Sequence, residues 1–161
     1  MSNIRSLFLV LIVIMVGSYA QKSRADEPVL HIFIGDNAPI VQTDADLAAL
    51  PQVEFTTTTI WTEGEMTFAG PPLSKLLEAL GVADADLEMT AVNDYKVRIP
   101  REAIESDAPI IANRIDGKKF GVRQKGPLWV VFPYDASEQY RSETVFAYSI
   151  WQLTSIRVLS D

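Results

Sequence analysis

The chain has 161 residues and no cysteine, and its 14 basic and 21 acidic side chains give a net charge of −7. Without a thiol, the chain has no thiolate nucleophile, redox centre or soft metal ligand. Its acidic surface would repel a phosphate backbone, so nucleic acid is not expected as a partner.

The N-terminal segment, residues 1–25, has the pattern of a secretory signal peptide. One arginine precedes an uncharged apolar run over 7–16, and small-x-Ala patterns then end at Ala20 and Ala25. The apolar run is shorter than the roughly 20 residues that a helix needs to cross a bilayer. We therefore predict cleavage after Ala20 or Ala25 and an exported domain over 26–161, with a permanent membrane anchor as the alternative.

The beginning of this domain contains two strand patterns and a short helix pattern. Val29–Ile34 is apolar and β-branched and leads into a Gly-Asp-Asn turn, which predicts a strand. Thr43 and Asp46 have the spacing of a capping box for a helix that Pro51 ends. Residues 53–61 alternate and contain four consecutive threonines, which favours a second strand.

The clearest helix pattern covers residues 72–80, where four leucines at i, i+3, i+4 and i+7 form one apolar stripe. A Pro-Pro pair suits its beginning and Gly81 its C-terminal cap. Many short strands around one or two helices predict a single α+β domain. The further strand patterns lie at 87–92, 95–99, 109–115, 128–133 and 153–159.

The polar residues give no pattern of a catalytic or metal site. The single histidine, His31, lies in a strand pattern and could not complete a zinc site without cysteine or a second histidine. No serine lies in a nucleophile elbow, and no Gly-Lys-Ser/Thr pattern marks a phosphate loop. We therefore predict no catalytic residue and no metal ligand, while carboxylate pairs leave glycosidase chemistry open.

Amphipathic aromatic side chains beside polar turn residues indicate a ligand site instead. A pocket for a flat heterocycle needs aromatic walls, together with carboxylate or amide groups that accept from ring N–H donors. Each aromatic could alternatively fill the core, above all Trp151. The predicted ligand-binding residues are Trp61, Asn93, Asp94, Tyr95, Arg114, Arg123, Lys125 and Trp129.

Short motifs follow one another in a fixed order between residues 46 and 158. They are Thr67–Leu73 with Leu76-Leu77, Ala91–Tyr95 with Ile99-Pro100, Ala112 with Asp116-Gly117, Gly126–Pro133, and Trp151–Ile156. In order and spacing they resemble the molybdopterin-binding domain of the sulfite oxidase family. The resemblance implies one compact α+β domain with a mixed β-sheet or barrel and few short helices.

The sequence departs from that family at two positions. Enzymes of the family hold molybdenum through a cysteine thiolate, and the matching position here is Thr58 or Thr59. Trp129 replaces an arginine that helps to hold the phosphorylated cofactor, whereas the tyrosine of the substrate pocket is retained as Tyr95. The resemblance therefore implies a pterin-shaped cavity without the metal or the phosphate tail.

These features are similar to a small periplasmic branch of the family that binds reduced pterins. Proteins of that branch relay ligand occupancy to the periplasmic domain of a membrane-bound diguanylate cyclase/phosphodiesterase. The resemblance implies a periplasmic, non-enzymatic pterin-binding protein that acts in cyclic-di-GMP signalling. It implies no catalytic cofactor and no molybdenum, and pterin would be a bound ligand.

In this hypothesis the predicted residues divide the contacts with the pterin ring among them. The ring stacks on Trp61 or Trp129, and Tyr95 closes the pocket. Asp94 accepts hydrogen bonds from the 2-amino and N3–H groups, and one of the three basic side chains donates to the ring carbonyl.

Two other functions stay open from the sequence. One is a molybdopterin-dependent oxidoreductase domain that lacks the usual cysteine ligand. The other is a scaffold subunit that binds a partner without any small molecule. The sequence also leaves open which pterin binds, its redox state, the oligomeric state and the direction of signalling.

Overall fold

A computed structural model of the protein describes residues 27–159. The predicted signal peptide, residues 1–25, lies outside this range. Within it, no helix has both the length and the apolar character that a membrane crossing requires.

The described range contains eleven strands and three short helices. The strands are β1 (Pro28–Ile34), β2 (Ile40–Thr43), β3 (Val53–Thr58), β4 (Glu65–Gly70), β5 (Asp86–Ala91), β6 (Lys96–Ile99), β7 (Ile110–Ala112), β8 (Arg114–Ile115), β9 (Trp129–Val131), β10 (Ile150–Trp151) and β11 (Leu153–Leu159). The helices are α1 (Asp44–Ala49), α2 (Leu73–Leu80) and α3 (Glu143–Tyr148). Short 3₁₀ turns lie at Arg101–Ala103, Val122–Gln124 and Glu138–Arg141.

The strands form one large and two small sheets. The five-stranded sheet has the order β2-β1-β11-β5-β6, in which β1 and β11 are parallel and the other neighbours antiparallel. The small antiparallel sheets have the orders β3-β4-β8 and β10-β9-β7. The predicted α+β class and mixed sheet are confirmed. The predicted barrel is wrong for the described residues, because the sheets keep separate outer strands instead of closing on themselves.

Local sequence signals account for the two helices that were predicted. Thr43 and Asp46 form the capping box of α1, in which the Asp46 amide donates to Thr43 Oγ1 over 3.1 Å. The leucine stripe of α2 is confirmed, with Leu73, Leu76 and Leu77 buried in the main core. Burying each such leucine stabilises the fold by about 1.5 to 3 kcal/mol, so packing rather than propensity holds this eight-residue helix.

Long-range pairing changes two of the predicted strands. The pattern over 53–61 ends as a strand at Thr58, and the pattern over 109–115 divides at Asn113 into β7 and β8 of different sheets. Strand β4 and helix α3 were not predicted. β4 is a strand because it pairs with β3 along its whole length, which no local pattern shows.

A second core cluster lies where the small sheets meet. Phe68 of β4 and Trp129 of β9 are fully buried, with ring centroids 5.4 Å apart. The backbones also approach closely, since a Cβ at Gly70 would collide with the carbonyl oxygen of Ile111. Only glycine permits this contact between β4 and β7. It holds β4 of one small sheet against β7, which pairs with β9 in the other.

Candidate ligand site

Three tryptophans meet beside the small sheets, and we call them the tryptophan cluster. Trp61 follows β3, while Trp129 and Trp151 are paired across β9 and β10. The ring centroid of Trp61 lies 6.1 Å from that of Trp129 and 5.6 Å from that of Trp151. All three pairs have edge-to-face geometry, which aromatic rings favour. Trp129 is fully buried, whereas Trp61 and Trp151 keep partial exposure and can present a ring to a ligand.

A distant carboxylate positions the chain before Trp61. Asp135 accepts from the Thr58 amide over 2.5 Å and from the Thr58 hydroxyl over 2.9 Å, and the Thr57 hydroxyl donates to it over 3.2 Å. These donors and Arg141, at 2.7 Å, lower the pKa of Asp135 to about 2, the Thr58 amide contributing most. Asp135 is therefore ionised at neutral pH and fixes the end of β3.

The next threonine orients the tryptophan itself. The hydroxyl of Thr59 accepts from the Trp61 amide over 3.1 Å and shares a hydrogen bond of 2.7 Å with the Thr62 hydroxyl. The hydroxyls of Thr58 and Thr59 are thus both engaged with protein groups. Residues 27–159 also hold no group of three or more His, Cys, Asp or Glu side chains that could bind a metal ion. The two hydroxyls at the positions that match the family's cysteine therefore bond within the protein.

A cavity of about 290 Å³ opens on one side of the tryptophan cluster, and we call it the aromatic cavity. This volume is just below the range of roughly 300 to 1,000 Å³ that is typical of ligand pockets, and it suits one small ring system. Its lining residues are Trp61, Ala91, Asn93, Tyr95, Phe146, Ser149, Ile150 and Trp151.

The turn between β5 and β6 supplies the polar mouth of the aromatic cavity. Asn93 and Tyr95 line the cavity, and the Asn93 side-chain oxygen accepts from the Tyr95 amide over 3.3 Å. Asp94 is not a lining residue, and its exposed side chain sits at a left-handed turn position with φ 63°. Aspartate tolerates that conformation better than most residues, which explains Asp94 without a ligand. The carboxylate role predicted for Asp94 therefore has no counterpart in the lining, and Asn93 is the side chain with hydrogen-bonding capacity there.

Helix α3 forms the opposite wall through Phe146 and the serine that follows the helix. Ser149 is 4% exposed, and its hydroxyl lies 2.5 Å from that of Tyr134 and donates to the carbonyl of Val145 over 3.3 Å. Burial raises the pKa of Tyr134 to about 12, so the phenol stays neutral at physiological pH. This wall is held by a buried hydrogen bond between neutral groups.

A second cavity, of about 450 Å³, also borders the tryptophan cluster, and we call it the cationic cavity. The Lys125 ammonium lies 4.7 Å from the ring centroid of Trp151 and 5.8 Å from that of Trp129, within the range of a cation–π contact. The lining residues are Thr62, Met66, Ile115, Asp116, Lys118, Lys119, Phe120, Arg123, Gln124, Lys125 and Trp129.

A third and larger cavity, of about 560 Å³, lies beside α1 and includes Asp44 and Asn113 in its lining. The Arg114 guanidinium donates two hydrogen bonds, of 2.7 and 3.0 Å, to the Asp44 carboxylate, and the Lys119 ammonium lies 2.5 Å from the same carboxylate. The Arg114 hydrogen bond is the main cause that lowers the pKa of Asp44. Arg114 therefore pairs with α1 and lines none of these three cavities.

The structure divides the predicted site residues among three places. Trp61, Asn93 and Tyr95 line the aromatic cavity, Arg123, Lys125 and Trp129 line the cationic cavity, and Asp94 and Arg114 line neither. Stacking on Trp129 is not supported by its full burial. Trp151, for which the sequence predicted a core position, packs against the second core cluster and also lines the aromatic cavity, because its pairing with Trp129 joins β9 to β10 across a long loop.

No family model and no curated protein matches this sequence. Among solved structures, the sulfane dehydrogenase SoxCD from Paracoccus pantotrophus is similar, with a TM-score of 0.62 and 20% identity over 86% of this chain. The match covers 39% of that chain, so the protein spans less than half the length of its structural neighbour. At this identity the likeness shows a shared fold, and it supports the sulfite oxidase-like fold that the motifs indicated.

Proposed function

We propose that the protein binds a reduced pterin in the aromatic cavity and catalyses no reaction. One observation carries the proposal, namely that two partly exposed tryptophans, Trp61 and Trp151, share a cavity of about 290 Å³ with the amide of Asn93. A pterin is a flat, mostly unsaturated bicycle with an amide-like edge, so it needs aromatic stacking and a group that both donates and accepts.

Asn93 offers both functions that the pterin edge requires. Its side-chain oxygen would accept from the 2-amino or N3–H group, and its side-chain nitrogen would donate to the ring carbonyl. Tyr95 is 56% exposed, so its ring can move over the ligand at little structural cost. A carboxylate could not supply the donor half of this pattern, which favours Asn93 over Asp94 for recognition of this edge.

The alternative function, a molybdopterin-dependent oxidoreductase, also agrees with the shared fold. It would need a protein ligand or an open site for the metal, but the chain has no cysteine and Thr58 bonds to Asp135. We therefore favour binding without metal. Metal analysis of protein made in a host that synthesises the cofactor separates the two, because molybdenum at one atom per chain would replace our proposal with the enzyme.

Ligand binding is tested by calorimetry on protein purified from the periplasm, with 7,8-dihydroneopterin as the probe. We expect Asn93→Ala to weaken binding at least tenfold, because a buried ring donor and acceptor lose their partners. The neighbouring substitution Asp94→Ala is the matched control and should change affinity less than threefold. Equal losses in both variants, or a tenfold loss in Asp94→Ala alone, would reject the assignment to Asn93.

The scaffold hypothesis gives a different result in the same experiment. A scaffold would bind no pterin in any redox state, and Trp151→Ala would then leave the calorimetric signal as flat as in the parent protein. Binding that is lost in Trp151→Ala but kept in Trp151→Phe would support stacking in the aromatic cavity.

We further propose that the occupied protein docks on the periplasmic sensor domain of a membrane diguanylate cyclase/phosphodiesterase. The sequence resemblance suggests this partner, and exposed apolar side chains beside the cavity residues supply a surface for it. Ile60, next to Trp61, is 65% exposed, and Val92, next to Asn93, is 56% exposed. Because these neighbours flank the ligand, a partner that covers them would sense occupancy through differential affinity.

Docking is tested by surface plasmon resonance against the isolated sensor domain, with and without dihydroneopterin. Val92→Glu should weaken docking at least tenfold while pterin affinity stays within threefold of the parent value. Val41→Glu, at a 42% exposed position on β2, is the matched control and should dock normally. A docking affinity that changes neither on addition of the ligand nor in Val92→Glu would refute the relay.

A further inference from the structure

Lys125 lies over the ring of Trp151 from outside the aromatic cavity. Its ammonium is 4.7 Å from the ring centroid of Trp151, whereas its distance to the centroid of Trp129 is 5.8 Å. Trp151 lines the aromatic cavity and Lys125 does not, while Lys125 lines the cationic cavity and Trp151 does not. A ligand in the aromatic cavity that stacks on Trp151 would therefore share this ring with a cation.

Hydrogen bonds to the residue after Trp151 hold Lys125 at this ring. The amide of Gln152 donates to the Lys125 carbonyl over 2.9 Å. The side chain of Gln152 donates to the carbonyl of Val122, at the start of the same turn, also over 2.9 Å. Lys125 has φ 71° and ψ 11°, in the left-handed region that glycine adopts more readily than lysine. The backbone alone therefore does not account for a lysine at this position.

The charge of Lys125 is not paired with a carboxylate. None of the ion pairs among residues 27–159 includes Lys125, although Lys119, in the same lining, pairs with Asp44. The field of the ammonium therefore acts on the indole ring without an opposing charge at ion-pairing distance. A cation over one face attracts the π electrons of the ring, which leaves the remaining surface less negative than in a free indole.

We propose that Lys125 raises the preference of the aromatic cavity for a reduced pterin over an oxidised one, an inference that rests on the proposed pterin site. A 7,8-dihydropterin is electron-rich, because its N8–H nitrogen donates electrons into the pyrimidine ring. An oxidised pterin is electron-poor, because its pyrazine ring is fully aromatic. Two negative ring faces repel each other, and a cation over Trp151 lowers this repulsion most for the electron-rich ring. Lys125 acts through Trp151 and does not contact the ligand.

The test is calorimetry of the exported protein at pH 6.5 with two neutral probes, 7,8-dihydroneopterin and its oxidised form, neopterin. Both probes have the same side chain and the same amide-like edge, so the contacts of Asn93 cancel in the ratio of the two affinities. Lys125→Met keeps the length of the side chain and removes its charge, and it should lower the preference for dihydroneopterin by about threefold or more. Lys125→Arg keeps a cation over the ring, and its affinity ratio should stay within about twofold of the parent ratio.

Lys118→Met is the matched control, because Lys118 lines the same cavity but lies over no aromatic ring among the described residues. Its affinity ratio should equal that of the parent protein. An unchanged ratio in Lys125→Met, even with weaker binding of both pterins, would overturn the inference and leave pterin binding intact. An equal change of the ratio in Lys118→Met would also overturn it, because net charge rather than the ring contact would then be the cause. A parent protein that binds neither probe would overturn the proposed function and this inference together.

Discussion

The hydrogen bond between Tyr134 and Ser149 gives the sharpest test of how the aromatic cavity is built. Tyr134 is 2% exposed, and Tyr134→Phe removes only the hydroxyl that lies 2.5 Å from Ser149 Oγ. The Ser149 hydroxyl keeps its bond to the Val145 carbonyl but loses one partner in a buried place. We expect the free energy of unfolding to fall by about 1 to 2 kcal/mol at pH 7.

The pH dependence of this effect has a definite sign. The pKa of Tyr134 is raised to about 12 in the folded protein, whereas an unfolded tyrosine titrates near its ordinary 10.0. The neutral phenol is thus favoured by folding, so this contribution is complete below pH 10 and is lost as the pH rises from about 10 to about 12. A pKa shift of that size corresponds to a loss of about 3 kcal/mol in the free energy of unfolding between about pH 10 and about pH 12.

Urea unfolding followed by tryptophan fluorescence measures both effects. At pH 7 Tyr134→Phe should be less stable than the parent protein. Because only the parent loses about 3 kcal/mol as the pH rises from about 10 to about 12, the difference should vanish and then reverse in sign within that range. Tyr95→Phe is the control, because Tyr95 is 56% exposed, and it should change stability by less than about 0.5 kcal/mol. Equal stability of Tyr134→Phe and the parent at pH 7 would refute the argument that this bond holds α3 in place.

Three other substitutions test neighbouring parts of the fold. Asp135→Asn should lower the urea midpoint at pH 7, because the ionised carboxylate that holds the end of β3 is lost. Since the pKa of Asp135 is depressed to about 2, the parent protein should itself lose the stability that this carboxylate contributes as the pH falls from about 4 towards 2. Gly70→Ala should destabilise the domain by about 1 to 3 kcal/mol in the same assay, because its Cβ would collide with the Ile111 carbonyl, and an unchanged midpoint would contradict that close approach. Arg114→Gln should lower the melting temperature, because the pair with Asp44 is lost. Its pterin affinity, measured by calorimetry, should stay within threefold of the parent value, and a tenfold loss would show that Arg114 belongs to the ligand site after all.

Sequence patterns predicted the parts of this fold that depend on near neighbours in the chain. The capping box of α1 joins residues three apart, and the leucine stripe of α2 repeats within eight residues, so both depend only on nearby residues. The end of β3 depends on a distant residue. Its last residue, Thr58, donates to a carboxylate 77 residues further along, and no local pattern contains that contact.

The candidate site follows the same division. The residue types were predictable, because aromatic and amide groups beside turns mark places where a ring can bind. Their grouping was not, since pairing of β9 with β10 brings Trp151 to Trp129 and the turn geometry leaves Asp94 out of the lining. Which of two adjacent polar residues lines a cavity depends on backbone direction at one turn, and composition carries no information about it.

The parallel pairing of β1 with β11 has a kinetic consequence. His31 lies opposite Ser155, so the central strands of the large sheet meet only after about 120 residues of chain have been looped back. Closing such a loop costs about 4 kcal/mol of chain entropy before any packing compensates it. Contacts of this sequence separation slow folding, and we expect the hairpins of the small sheets to form first and the large sheet to close last. Residues 153–159 would then decide when the nascent chain becomes resistant to proteolysis, because β11 lies between β1 and β5.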